Sequence, residues 1–342
     1  MPAKILTNMY LACINQQHPD LAQGELEALA REHTKRIDDV VLVSNDPTPF
    51  ASRLAFTKSI MRVLFTCDPE ELQEHMARYP WDVAGSFRMT TSKCTTPAGR
   101  LGAIVKEKTG AAVSLKNPKT HLQTYCRDRA YVGILIWERS ERFEQRRGKY
   151  RAAHHPTTMH PQLARALVNL TGMREGALLD PMCGAGGILI EAALMNIHVS
   201  GSDIDPTLIE KAKRNLSQFK QNVPLTVADA TTITSPLDYV VTDLPYGRST
   251  KKHELARTYE EFFAMLGRNL KERAVVMYPH WADCKHLATT HGLEIEQEFS
   301  IYSHKSLTRK ILVLRKNTTL KPSSDDARET PAYQQLRQER AR

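Results

Sequence analysis

The stretch VVTDLPYGRST, Val240 to Thr250, sets a carboxylate, a proline and an aromatic ring in one short run. Asp243 can take up a proton or accept an N–H hydrogen bond, as positioned acid–base groups do. Pro245 lacks a backbone donor and stiffens the turn. Tyr246 offers a ring face on which a flat group can lie. The same residues also make an ordinary strand-ending turn, because Pro and Gly punctuate strands widely. Leu244 to Gly247 alone do not separate the two readings. The other acids and glycines of the chain must.

A second constellation precedes it. In LLDPMCGAGGILIEAALM a short apolar run ends at Asp180 and passes through Cys183, Gly184, Gly186 and Gly187 into a helix pattern. Glycines there let backbone approach a ligand, and a helix N-terminus favours acceptor groups. The pattern is not GxGxxG, and it lacks the Lys that a phosphate-cradling loop needs. Asp180, Asp203, Asp229 and Asp243 each close a predicted parallel strand. In open α/β sheets the ligand crevice lies beyond those strand ends. Four acids on one edge repel one another unless they bind donors. Asp203, about 20 residues past the glycines, stands where such folds hold ribose hydroxyls. Asp229 is placed to accept from an adenine amino group, and the next residues, Ile204 and Ala230, are counted with the same site. Acids without a phosphate cradle suit a nucleoside cofactor that carries no phosphate. S-adenosylmethionine is such a cofactor, with a ribose, an adenine and a cationic sulfonium. Cys183 then reads as a small packing residue of the loop rather than a nucleophile.

These groups must be positioned by a large, ordinary globular chain. It has 342 residues, 41% hydrophobic and 25% charged. No run of about 18 apolar residues is present, so no membrane helix is expected. The opening MPAKILTNMY lacks the apolar centre of a secretory signal. The six cysteines are scattered with no CxxC spacing, which predicts free thiols in a reducing cytoplasm, with neither a disulfide framework nor a zinc site. His154, His155 and His160 have no acid or Cys at ligand spacing, so they belong to a linker or interface and no metal is required. The formal charge of +9 favours a polyanionic partner. It is concentrated in ERSERFEQRRGKYR, where Arg146, Arg147, Lys149 and Arg151 crowd around one glycine. Such a run is either a solvated linker or a phosphate contact.

The C-terminal half alternates strand and helix signals: ALLD, HVSGSD, PLTVAD, LDYVVTD and RAVVMYP are strands with helices between. Asp205 before Pro206 predicts an N-cap. Phe262 and Phe263 belong to the core of a helix. EIEQEFSIYSHKSLTRKILVLR reads as an antiparallel pair, giving a mostly parallel α/β sheet with one antiparallel edge strand. The N-terminal half reads as two small α+β units. The expected divisions are 1–75 and 76–138 for those units, 139–160 for a basic linker, 161–316 for the α/β domain and 317–342 for a polar tail.

DPMCGAGGILIEA with SDID, ADA and DLPYG resembles the class I, Rossmann-like methyltransferases that modify exocyclic amino groups. DLPYGRST and HHPTTMHPQLARALVNLTG are similar, more closely, to the archaeal tRNA (guanine-10, N2) methyltransferases. That resemblance implies a ferredoxin-like segment and a THUMP RNA-binding domain before the catalytic domain, and GRLGAIVKEKTGAAVSLKNPKTHLQTYCRDRAYVGI is similar to a THUMP core. It implies S-adenosylmethionine as cofactor and tRNA as partner, with one or two methyls added and no oligomeric state specified. A guanine N2 amine is a weak nucleophile, so Asp243 and the Leu244 carbonyl are the expected acceptors for its N–H in the transition state. Tyr246 is the expected platform for the unstacked base. Guanine presents N1–H and N2–H side by side to one carboxylate, whereas adenine offers a donor and an acceptor. Arg146, Arg147, Lys149, Arg151 and Arg248 are the expected RNA contacts. Leu244 replaces the first proline of the common Asn/Asp-Pro-Pro-Tyr signature, which predicts a loop less firmly set. Methylation of another tRNA position or of rRNA, and a non-catalytic RNA-binding scaffold, are the alternative readings.

Overall fold

The computed structural model describes residues 4–5, 9–155, 158–247, 252–304 and 307–317. Arg248 and almost all of the expected polar tail lie outside them. The N-terminal half runs β1 (Lys4–Ile5), β2 (Tyr10–Ile14), α1 (Pro19–Ala30), β3 (Lys35–Ile37), β4 (Val40–Val43), β5 (Thr57–Cys67), α2 (Leu72–Arg78), β6 (Ser86–Ser92), α3 (Ala98–Thr109), β7 (Ala112–Val113), β8 (Thr120–Cys126) and β9 (Ala130–Glu138). Among the described residues these strands form one sheet, ordered β3-β4-β2-β5-β9-β8-β6-β7, with β1 also on β5. The long β5 pairs antiparallel with β9 from Ser59↔Glu138 to Cys67↔Ala130. The two units expected from sequence therefore share a continuous sheet.

The cysteine expectation needs correcting. Cys94 and Cys126 form a disulfide with Cα atoms 4.9 Å apart, while Cys13, Cys67, Cys183 and Cys284 are free. Separation by 32 residues hid the pair. β6 and β8 are parallel neighbours, and their register at Ser92↔Tyr125 carries both cysteines to the same sheet end.

The C-terminal half runs α4 (Pro161–Leu170), β10 (Leu178–Asp180), α5 (Gly187–Leu194), β11 (Val199–Asp203), α6 (Pro206–Gln218), β12 (Leu225–Val227), β13 (Leu237–Asp243), α7 (Lys252–Asn269), β14 (Leu270–Pro279), α8 (Cys284–Thr290), β15 (Leu293–His304) and β16 (Leu307–Lys316). Its sheet is ordered β12-β11-β10-β13-β14-β16-β15. β10 to β14 are parallel, and β16 runs antiparallel to both β14 and β15. The reversed strand is thus not at the edge, as the sequence suggested, but one place in from it. Composition explains this: ILVL at Ile311–Leu314 is a continuous apolar run, 0–2% exposed, as a strand covered on both faces requires.

Alternation along the central strands builds two cores. Val241, Val275 and Val313 face α1, α4 and α5, while Val240, Val276 and Leu314 face α7 and α8. α1 belongs to the N-terminal half, so the halves share the first core. Their seam holds a buried carboxylate. Glu25 accepts from Ala55 N (2.7 Å), Phe56 N (2.9 Å) and Asn169 Nδ2 on α4 (2.7 Å). A buried acid so fully supplied with donors is tolerated where an unpaired one is not.

Candidate active site

Connections leave β10 in opposite directions, toward β11 and toward β13, which is where doubly wound sheets open a crevice. A cavity of about 560 Å³ opens there, lined by Asp180, Asp203, Asp229, Asp243 and the loop after β10. Gly184 and Gly186 both take positive φ, 54° and 80°. A side chain on Gly184 would project into open space, so its absence leaves bare backbone facing the cavity.

The acids are held by the loops they serve. Asp203 accepts Gly184 N at one oxygen (2.8 Å) and Asp205 N at the other (3.0 Å). Each oxygen keeps a lone pair for a ligand hydroxyl. Asp205 caps α6 through Thr207 N at 2.8 Å, as the Asp-Pro pair predicted. Asp229 accepts Thr231 N and Oγ1 at a single oxygen, 2.9 and 2.8 Å. Ile204 is exposed beside Asp203, and both it and Ala230 line the cavity. Asp180 is buried and accepts from Thr242 Oγ1 at 2.9 Å and Met182 N at 3.3 Å. Burial pushes its carboxyl up to about 8, and Asp203 and Asp243 add to the rise. Cys183 is buried, and burial with the neighbouring acids raises its thiol, so it has none of the thiolate character of a nucleophile. These acceptors fit a nucleoside bearing positive charge: acids with lone pairs for hydroxyls, the apolar Ile204 beside them, and a neutralised acid whose ionised form a cation favours.

The second half of the site is the β13 turn. Leu244 N donates to Met277 O at 2.9 Å, carrying the β13–β14 ladder one residue past Asp243. The Leu244 side chain is 1% exposed and packs with Leu255 and Tyr259. The expectation of a loosely set loop is therefore reversed, since a proline here would supply neither bond nor anchor. Tyr259 Oη donates to Pro245 O at 2.5 Å, and the exposed Trp281 stacks on Tyr259 with centroids 6.5 Å apart. Tyr246 Oη donates to Asp243 Oδ1. Burial pushes Asp243 up to about 6, against the pull of Arg309 and of the Tyr246 bond.

Residues 148–310 match the UPF0020 family, described as an RMKL-like methyltransferase domain. A protein of Methanothermobacter thermautotrophicus named tRNA (guanine(10)-N2)-dimethyltransferase is 31% identical over 90% of this chain and 99% of its own. One of the same name from Pyrococcus abyssi is 30% identical, over 86% and 96%. The chain belongs to the tRNA (guanine(10)-N2)-dimethyltransferase family. A solved structure titled a possible methylase from Clostridium difficile 630 shares the fold, with a TM-score of 0.50, 18% identity, and cover of 93% of this chain and 100% of that one.

Within this family member, the basic linker is not arranged as its composition suggested. Arg146 gives Nε and Nη2 to Glu191 (2.7 and 3.1 Å) and Nη1 to Glu141 (2.9 Å), so its donors face inward. Arg151 is buried with Nε on Arg146 O at 3.0 Å. Arg146 is thus ion-paired within the protein and Arg151 is buried, so neither stands at the surface as the RNA-contact expectation had it. Arg147 and Lys149 stay at the surface, the first paired with Glu144 and the second over the Tyr150 ring. Asn215 ties the linker down through Ala153 N at 2.7 Å and the cofactor loop through Ala185 O at 2.9 Å. His160 caps α4 and pairs with Glu144 at 2.9 Å, a structural role. Sequence spacing missed Tyr259 and Arg309, which reach the turn from α7 and β16, and Trp281, which backs Tyr259 from the β14–α8 turn. Only the strand order brings them there.

Proposed function

We propose that this chain methylates the exocyclic N2 of a guanosine in tRNA, at position 10, using S-adenosylmethionine, in one or two rounds. The supporting observation is that the Asp243 carboxylate at once lines the cofactor cavity and holds the Tyr246 hydroxyl. Asp203 and Asp229 would hold the ribose and adenine of the cofactor, beside Ile204 and Ala230. Bound there, the cofactor supplies an electrophilic methyl on a sulfonium. The residues of the β13 turn do the rest. Tyr246 supports the unstacked base, and Asp243, with the Leu244 carbonyl, holds the N2–H as the nitrogen lone pair becomes available. Arg147 and Lys149 are the remaining linker candidates for phosphate, and the chain works in the cytoplasm, where tRNA is the polyanion that its charge favours.

The test is single-turnover methylation of an unmodified tRNA transcript by Asp243→Ala. The expected rate loss is roughly 10²–10⁴-fold, the span of positioned acid–base help, with cofactor affinity nearly unchanged. A wild-type rate would reduce the stretch to a turn.

A further inference from the structure

Arg309 enters from β16, opposite Pro279 of β14, and so stands at the same sheet edge as the β13 turn. Its guanidinium carbon is 5.5 Å from the Tyr246 ring centroid. It is also the cation whose field acts on Asp243. Its Nε is buried without a hydrogen-bond partner, and among the described residues its guanidinium makes no ion pair. A buried unsatisfied donor costs stability and calls for an explanation. Tyr246 thus has a carboxylate at its hydroxyl and an uncommitted planar fork of donors over its ring. Guanine carries the complementary pair of edges. N1–H and N2–H are donors, and O6 and N7 are adjacent acceptors that an Arg fork matches. Adenine has an amino donor where guanine has O6, so a guanidinium there would face a donor.

We propose that Arg309 reads the O6/N7 edge of the target guanine while Asp243 holds its N1/N2 edge, making Arg309 a specificity residue of the reaction. This rests on the proposed placement of the base on Tyr246. The guanidinium lies over that ring, 5.5 Å from its centre, so a base that settles on the same face takes the guanidinium's place there and meets it at the base edge. The structural alternative is that Arg309 only keeps Asp243 ionised. In that case its loss would slow every substrate alike and move the pH profile.

The experiment is single-turnover methylation by the full-length protein of two tRNAs, carrying guanosine or 7-deazaguanosine at the target nucleotide. The wild type should be several-fold slower with the 7-deaza base, which replaces the N7 acceptor by C–H. Arg309→Met should lose roughly 10- to 100-fold on guanosine, the worth of a bidentate contact, and treat the two bases alike. Equal slowing of both substrates by Arg309→Met, with the wild-type ratio kept, overturns the proposal. Should Arg309→Met fail to fold, the wild type decides: equal rates on guanosine and 7-deazaguanosine show that N7 is not read and overturn the proposal equally. Failure of the underlying placement would show separately, as a wild-type guanosine rate in Asp243→Ala.

Discussion

The Tyr246 hydroxyl donates to the Asp243 carboxylate, so the proposed acceptor for a substrate N–H already holds a donor. The pair satisfies a carboxylate that burial would otherwise leave exposed to its own desolvation cost. It also means that a base settling on the ring shares the acid with a phenol, at Oδ2 or at the second lone pair of Oδ1. The turn is set in place by Tyr259 and Met277, while its reactive oxygen is held by an exchangeable neighbour.

Tyr246→Phe is the direct probe. The ring is kept, so base stacking should be kept. The hydrogen bond that pulls the Asp243 carboxyl down is lost, so its titration should move above about 6. With Asp243 as the proposed acceptor, activity should require the ionised carboxylate, so the rate should rise with pH through that titration in both proteins. The variant's rising limb should therefore lie at higher pH, with a plateau equal to or above wild type. kcat/KM against pH on tRNA measures this. An acid limb that does not move means the hydroxyl has no hold on Asp243.

Leu244→Pro would bring the turn to the commoner tetrapeptide, yet it should damage this chain. The substitution removes the donor to Met277 O and empties a fully packed leucine site. Loss of one hydrogen bond with a buried partner left unpaired costs about 1–3 kcal/mol, and loss of leucine packing adds to it. Thermal unfolding should show a lower midpoint, and single-turnover rates should fall with it. A variant as stable and active as wild type would show that Pro245 alone sets the turn.

The catalytic half was legible because its signals are local. A strand followed by glycines, and an acid at each strand end, depend only on neighbours in sequence, and Asp205 at the start of α6 is of the same kind. What escaped depends on strand order. Arg309 meets Tyr246 because β16 slots between β14 and β15, and Cys94 meets Cys126 because β6 and β8 are adjacent. The linker arginines misled for another reason. Composition reports charge but not the buried acid that claims it, and Glu191 on α5 claims Arg146 and Arg165 together. Glu25 on α1 is likewise claimed from a distance, by Asn169 of α4 and the Ala55–Phe56 turn that close over it.

Asp180 yields a prediction about the cofactor that needs no turnover. Its carboxyl is pushed up to about 8, by burial first and by two neighbouring acids, so near pH 7 the free protein carries it protonated. A cationic cofactor entering the same cavity favours the ionised form, because an opposite charge nearby lowers a carboxyl's titration. Binding at pH 7 should then release close to one proton, and linkage fixes the sign. Affinity should be highest above about 8 and should weaken as pH falls below it, until the bound-state titration is passed. Calorimetry in buffers of different ionisation enthalpy, at pH 7, reads the released proton directly. Asp180→Asn removes the titrating group while keeping an acceptor for Thr242 Oγ1, so its binding enthalpy should no longer depend on the buffer. Buffer-independent binding by the wild type would mean that Asp180 keeps its proton when the cofactor is bound and serves only to brace Thr242.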